Sequence, residues 1–321
     1  MLIQGSYCQS GFGNTGVSKC GYDLEQLKGI ILMDKSKTYD LKTYATQSAL
    51  LTALQADAIA NKKSERIYPY LYVKGAVDAT ADNSIKESMY GDQVDVFHEQ
   101  PRWTVTLDER GIKSLANFDK FRLNKDLAVV AVFQGNAGND VLMFVNASGV
   151  QKGANCSVYA NKAVLAGKNK GDKTITIAFE DHDLFLSDVM EFLPMEPGTK
   201  LRNSLSGIHD VKIVPISASG TSIVVKVLDA HNDSDLGELY EEELEQNDAW
   251  VLALAATGAS VSITSVTYNA IAHTFTFAGT FTLAAHWLTL ANPTVLANLT
   301  EPFGNGITGG FESSPVAITP A

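Results

Sequence analysis

Cysteine is scarce in this sequence, and Cys8, Cys20 and Cys156 form no CxxC pair. That spacing argues against a zinc knuckle or a thioredoxin-type site. No run of 18 apolar residues occurs, so no segment is expected to span a bilayer. The first 30 residues carry Gln4, Lys19, Asp23 and Glu25 with no apolar block between them, which predicts no secretory signal. Without secretion the cysteines read first as free thiols, with a Cys8–Cys20 disulfide as the alternative.

Positive charge is also in short supply. The chain has 25 Lys and Arg against 36 Asp and Glu, a net −11, which argues against a nucleic-acid-binding surface. The deficit is local. Asp229, Asp233, Asp235, Glu238, Glu241, Glu242, Glu243, Glu245 and Asp248 follow one another with no Lys or Arg among them. Beyond Lys226 there is no further cation at all.

What is present is 321 residues with a 45% hydrophobic fraction, enough for two domains or one long β domain and too apolar for disorder. Residues 1–28 read as a glycine-rich N-terminal arm, with Gly5, Gly11, Gly13 and Gly16 and no helical or strand period. Helical spacing of Leu41, Tyr44, Leu51, Leu54 and Ala58 predicts a helix over 40–60 with Asp40 as N-cap. Short β-branched and aromatic runs predict strands at 29–33, 67–73, 94–97, 103–107, 127–133, 141–145, 156–159, 175–179, 211–216 and 223–228. A brief helix is expected over 184–193, stopped by Pro194 and Pro197. The acidic stretch reads as another, with Leu236, Leu239, Tyr240 and Leu244 on one side and Asp235 and Glu238 as a capping pair. From Ser260 the chain turns Thr-, Ala- and Val-rich and strictly alternating, the period of half-buried antiparallel strands.

These signals predict a mainly β chain with a few helices (α+β). An antiparallel β-sandwich or barrel core is expected over 29–255, a small immunoglobulin-like β-sandwich over 256–300 and a Gly/Pro-rich tail over 301–321. No internal repeat of 20–50 residues is visible.

Each candidate for chemistry has a plainer reading. Gly11, Gly13 and Gly16 match GxGxxG, with Asp34 beyond, but no strand period delivers the loop, so the arm reading is preferred. Glu180, Asp181, His182 and Asp183 could hold a metal or serve acid–base work; a polar turn with Asp183 capping the next helix is the plainer account. The loop from Asp229 to Asp235 has calcium-loop composition without DxDxDG spacing, and calcium there stays open. His98, His182, His209, His231, His273 and His286 show no metal spacing, and Ser204 or Ser206 near His209 reads as turn chemistry. Tyr68, Tyr70 and Tyr72 could stack a sugar or a base, although an alternating aromatic strand suits a core or an interface. Asn146 and Asn298 sit in sequons that mean little without secretion. No catalytic residue, cofactor or metal ligand is assigned, and the chain is expected not to be an enzyme.

A family resemblance starts near residue 28 and runs to 134. Its residues are Gly29 to Met33, the helix over 39–60, Arg66 to Tyr70, Tyr90-Gly91-Asp92, the strand around Trp103, and Phe121 to Asn124. In this order the chain resembles virion structural proteins of tailed bacteriophages infecting Bacteroidetes, of the tail or tail-tube kind. The Thr/Ala-rich end is similar to the immunoglobulin-like domains that phage structural proteins append. The resemblance implies a self-assembling subunit, made in host bacterial cytoplasm and carried in the virion. Its partners would be copies of itself and other virion proteins, with at most transient passage of DNA. A phage capsid or decoration protein with β-sandwich or jelly-roll domains is the alternative, and a carbohydrate-binding module or cellular enzyme a second. The arm is too poor in apolar residues to order itself. Deleting residues 2–16 should therefore leave a folded monomer and impair assembly, read by circular dichroism and sedimentation; a truncated chain that assembles as well as the full one refutes the arm's role.

Overall fold

The run Leu-Ala-Val-Val-Ala-Val from Leu127 to Val132 is continuous rather than alternating, which marks a strand buried on both faces. All six of these residues are buried. The structure is a computed structural model and describes residues 26–82, 84–87, 93–97, 99–108, 118–135, 138–161, 173–185, 189–299 and 310–321. It is mainly β with a few helices. Two units make up the chain: Met1–Asp57 with Lys63–Leu205, and Ala58–Lys62 with Ser206–Ala321.

The first unit contains β1 (Leu27–Asp34), β2 (Thr38–Tyr39), α1 (Gln47–Ala58), β3 (Ile67–Tyr70), β4 (Val73–Asp78), β5 (Ser84–Glu87) and β6 (Gln93–Phe97). Then follow β7 (Arg102–Leu107), β8 (Leu127–Gln134), β9 (Asp140–Ala147), β10 (Val150–Lys152), β11 (Ala154–Ala160), β12 (Lys173–Phe179) and β13 (Met190–Pro194). Eleven of these strands form one sheet in the order β2-β10-β9-β8-β11-β12-β7-β4, with β1 bridging β8 to β3 and β13 lying on β9. Every pairing in it is antiparallel. One parity of β8, Leu127, Val129 and Ala131, shares a core with Ile30 and Leu32 of β1 and with Cys156, Val158, Ile175 and Ile177. The other parity, Ala128, Val130 and Val132, is buried together with Ile31 and Met33. Leu50 and Leu54 of α1 are buried too, and the helix is tied to strands at both ends. Gln47 Nε2 donates to Pro194 O at 3.2 Å, and Tyr39 Oη donates to Asp57 Oδ2 at 2.8 Å.

Local chemistry moves two expected helices. The helix expected from Asp40 begins at Gln47, because Asp40 closes a turn: its carboxylate accepts from Lys42 N and its carbonyl from Thr43 N. Thr46 is the cap, its Oγ1 accepting from Ala49 N at 3.1 Å. Where a helix was expected over 184–193, residues Met190–Pro194 are instead strand β13, paired with Val141 to Val145 of β9. Residues 186–188 of that stretch lie outside the described residues. The β4/β7 hairpin leads into a ribbon of β5 and β6, Ser84 opposite Phe97, which among the described residues pairs only with itself.

The second unit contains β14 (His209–Ala218), β15 (Ser222–Asp229), α2 (Glu241–Leu244), β16 (Trp250–Leu254), β17 (Ile263–Asn269) and β18 (Thr274–Gly279). It ends with β19 (His286–Leu290), α3 (Pro293–Leu296), β20 (Phe311–Ser313) and β21 (Val316–Ile318). One sheet runs β17-β18-β15-β14-β20 and the other β16-β19-β21. Lettered A to G along the chain, these are D-E-B-A and C-F-G, the strand order of a constant-type immunoglobulin sandwich. The last strand is split: β20 runs parallel beside β14, and β21 antiparallel beside β19. Trp250 on strand C meets Phe277 edge to face, with centroids 4.8 Å apart, and its Nε1 donates to Leu244 O at 2.8 Å. This unit has no cysteine, so packing among Val225, Val227, Phe275, Phe277 and Leu288 does the work of the usual inter-sheet disulfide.

The immunoglobulin-like sandwich is therefore larger than expected. A boundary at 255 would cut Val225 from its partner Phe275; the division falls between Leu205 and Ser206. Residues 311–318 are not a tail but supply the final strand. The expected acidic helix shrinks to one turn, α2, because Asp229 and Asp235 spend their carboxylates on backbone turns. Residues 1–25 lie outside the described residues, and the expected arm reaches into β1 at Leu27. Phe277→Ala, at a fully buried site between the two sheets, should cost about 3–5 kcal/mol. Urea unfolding followed in the second unit checks this, and a loss below about 1 kcal/mol contradicts the packing described.

Candidate functional site

An open cleft of about 310 Å³ lies in the first unit. Its buried lining combines Leu71, Val73 and Val132 with the Asp140 carboxylate. Lys28 reaches it from β1, and Lys200 and Arg202 from the exposed turn after β13. Asp140, at the start of β9, is 8% exposed, and its Oδ2 accepts from Leu201 N at 2.5 Å. Burial pushes the Asp140 carboxyl up, opposed by the Leu201 hydrogen bond and by Arg202, Lys200 and Lys28. Asp108 is 3.8 Å from Lys74. Lys200 and Arg202 form no ion pair among the described residues, so the cleft has surplus positive charge. Such a surplus favours an anionic group, for example a carboxylate or phosphate, at this position. Nothing in the sequence pointed here, because the lining comes from five separate segments scattered between Lys28 and Arg202.

The second polar feature is a network around Asp57. Lys37 Nζ lies 2.8 Å from Asp57 Oδ1, while Tyr39 Oη donates to Oδ2. Burial, then the Asp57 charge, pushes the Tyr39 phenol well above its ordinary range. A phenol that keeps its proton this firmly is a weak acid, and it serves as a tie between β2 and α1.

The third feature is the acidic turn. Asp229 Oδ1 accepts from His231 N and Asn232 N, Asn232 Oδ1 from Ser234 N, and Asp235 Oδ1 from Gly237 N. Tyr268 Oη and His273 Nδ1 are 3.1 Å apart, and that nitrogen is 3.8 Å from Asp235 and 3.9 Å from Glu238. Burial and the carboxylates of Asp235, Glu238 and Glu241 raise the Tyr268 phenol. Among the described residues no three His, Cys, Asp or Glu side chains gather as metal ligands, at this loop or elsewhere.

The remaining sequence candidates stay apart. Gly11, Gly13, Gly16, Cys8, Cys20, His98 and Tyr90 to Asp92 lie outside the described residues. Asp34 accepts from Ser36 N and Oγ, closing the β1–β2 turn. Asp181 accepts from Asp183 N, so Asp183 sits in a turn and caps no described helix. Cys156 is a buried free thiol, and burial pushes it up, away from the thiolate. His286 is fully buried on β19, with neither ring nitrogen hydrogen-bonded among the described residues. The tyrosines do not form one platform: Tyr68 meets Phe121 and Tyr70 meets Phe118 edge to face, while Tyr72 alone is exposed. Asn146 of the first sequon donates to Glu191 and accepts from Gly149 N, and Asn298 donates to Thr294 O. No helix among the described residues is long and apolar enough to cross a membrane.

Tyr39 supplies a pH test. The unfolded phenol ionises near pH 10, roughly, whereas the folded one keeps its proton to higher pH. The stabilisation is thus complete below about pH 10 and is lost as pH climbs above it, because the unfolded state then binds fewer protons. Tyr39→Phe should flatten the alkaline fall in unfolding free energy by up to about 1.4 kcal/mol per pH unit. An unchanged slope in urea titrations between pH 9 and 11, roughly, would show that Tyr39 ionises freely.

No family model matches the chain, and no curated protein matches it.

Proposed function

We propose that this chain is a structural subunit of a virion, of the tail-tube type, which closes on copies of itself into stacked rings around a DNA channel. The observation that carries the reading is the β5/β6 ribbon, which extends the β4/β7 hairpin and pairs with nothing else among the described residues. A two-stranded ribbon is at best marginally stable in water, so a neighbouring copy is the natural support for it. Among the described residues strands β3, β4 and β13 each have one partner, and such edges invite closure by another subunit. The sequence resemblance over 28–134 points the same way. The charge distribution suits a channel: the second unit has three Lys and Arg against 12 Asp and Glu, the first 22 against 24. An acidic wall repels DNA and removes the attraction behind nonspecific binding. Copies of the chain and other virion proteins are the partners in this reading, and the virion, after synthesis in the host bacterial cytoplasm, is its location.

A capsid or decoration protein is the second reading, favoured by the immunoglobulin-like unit at the C-terminal end. The carbohydrate-binding alternative loses its platform, since Tyr68 and Tyr70 pack edge to face against Phe121 and Phe118. Negative-stain microscopy of the purified full chain separates these readings. Rings or tubes are expected; icosahedral or flat lattices favour the capsid reading, and monodisperse monomers at every concentration refute self-assembly.

A further inference from the structure

The cleft and the acidic turn are complementary in two respects. The cleft sets Leu71, Val73 and Val132 beside the buried Asp140, with Lys28, Lys200, Arg202 and Asp108 around them. The turn projects Leu239, 68% exposed, between Glu238 on one side and Glu241 and Glu242 on the other, all exposed. An exposed leucine flanked by carboxylates complements a hollow that offers apolar surface and three cations against two carboxylates. The turn is also held in shape: Leu236 and Leu244 are buried on either side of it, Trp250 donates to Leu244 O, and Tyr240 meets Phe311 with centroids 5.0 Å apart. A pre-shaped element loses little conformational freedom on docking.

We propose that Leu239 and its flanking glutamates on one copy dock into the Lys28/Lys200/Arg202 cleft of the next copy. This inference rests on the reading of the chain as a self-assembling subunit and names the surfaces that meet. The contact joins two different patches, so it is heterologous: it closes into a ring where the rotation permits and otherwise propagates as a filament. Charge complementarity selects another copy over a neutral partner. The first unit is nearly balanced yet sets Lys28, Lys200 and Arg202 against only Asp108 and Asp140 at the cleft, whereas the second carries a net −9. Ion pairs at the edge of such a contact set its register and encounter rate, and the leucine supplies the buried anchor.

Charge reversal of the full chain tests the docking. Lys200→Glu/Arg202→Glu makes the cleft acidic, and Glu241→Lys/Glu242→Lys makes the turn basic; all four side chains are solvent-facing, and circular dichroism checks that each variant folds. In sedimentation velocity each variant alone should need at least about tenfold more protein than the wild type to assemble, a shift of ~1.4 kcal/mol. An equimolar mixture of the two should assemble like the wild type, since each offers what the other lacks. Raised salt should weaken the wild-type assembly and the mixture alike. Variants that assemble as readily as the wild type overturn the proposal while leaving the ring reading intact. A combined four-site variant that assembles while the mixture does not also overturns it, because the contact is then within one chain. Unchanged assembly with lost DNA retention in the cleft variant overturns it in favour of nucleic acid as the occupant. A wild type that never assembles removes both readings.

Discussion

The first unit depends on β8 being buried on both faces while it pairs with β1 along one edge and with β9 and β11 along the other. Its backbone has no route to water, so every amide must find a strand partner, and the partners must themselves bring apolar side chains. β1 meets the demand with Ile30, Ile31, Leu32 and Met33, all buried. β11 carries the sheet on to β12, β7 and β4. The hairpin that ends in the β5/β6 ribbon therefore hangs from the end of a rigid sheet. Rigidity at β8 and incompleteness at the ribbon are two ends of one construction. The proposed self-assembly would draw on both, with a fixed frame and an edge for a neighbouring copy.

The second unit answers a different constraint. With no cysteine to bridge its sheets, it relies on Trp250, Phe275 and Phe277 to hold strands C and E together. From Ala249 to Leu299 the chain has no Asp, Glu, Lys or Arg, so the unit's acid is confined to the segments around that core. Charge on this unit lies where it can meet water or another subunit.

Much of this architecture was legible in the sequence, and the failures have physical causes. Alternation of Val261 to Tyr268 and of Thr274 to Phe277 signalled half-buried strands, and the structure has β17 and β18 there. Strands β14 and β15 were visible as strands but went to the wrong domain, because the pairing of Val225 with Phe275 spans 50 residues and leaves no trace in local composition. Helix periodicity in the acidic stretch was overruled by Asp229, Asn232 and Asp235, whose side chains offer the backbone a competing turn. Leu184 to Leu193 has the composition of either element, and β9 settled it by offering β13 an unpaired edge. The cleft was invisible for the same reason as the domain boundary. Lys28, Asp140 and Arg202 have no relation in sequence and meet only through the sheet.

The central claim is that the protomer is folded but incomplete until a second copy covers its ribbon. Hydrogen–deuterium exchange, compared between the dilute chain and its assembled form, tests this at residue level. Amides of β8 should be strongly protected in both states, and those of β5 and β6 should exchange fast in the dilute chain and slow markedly on assembly. If the ribbon is as protected in the dilute chain as in the assembly, it is already complete within one protomer, and the account fails.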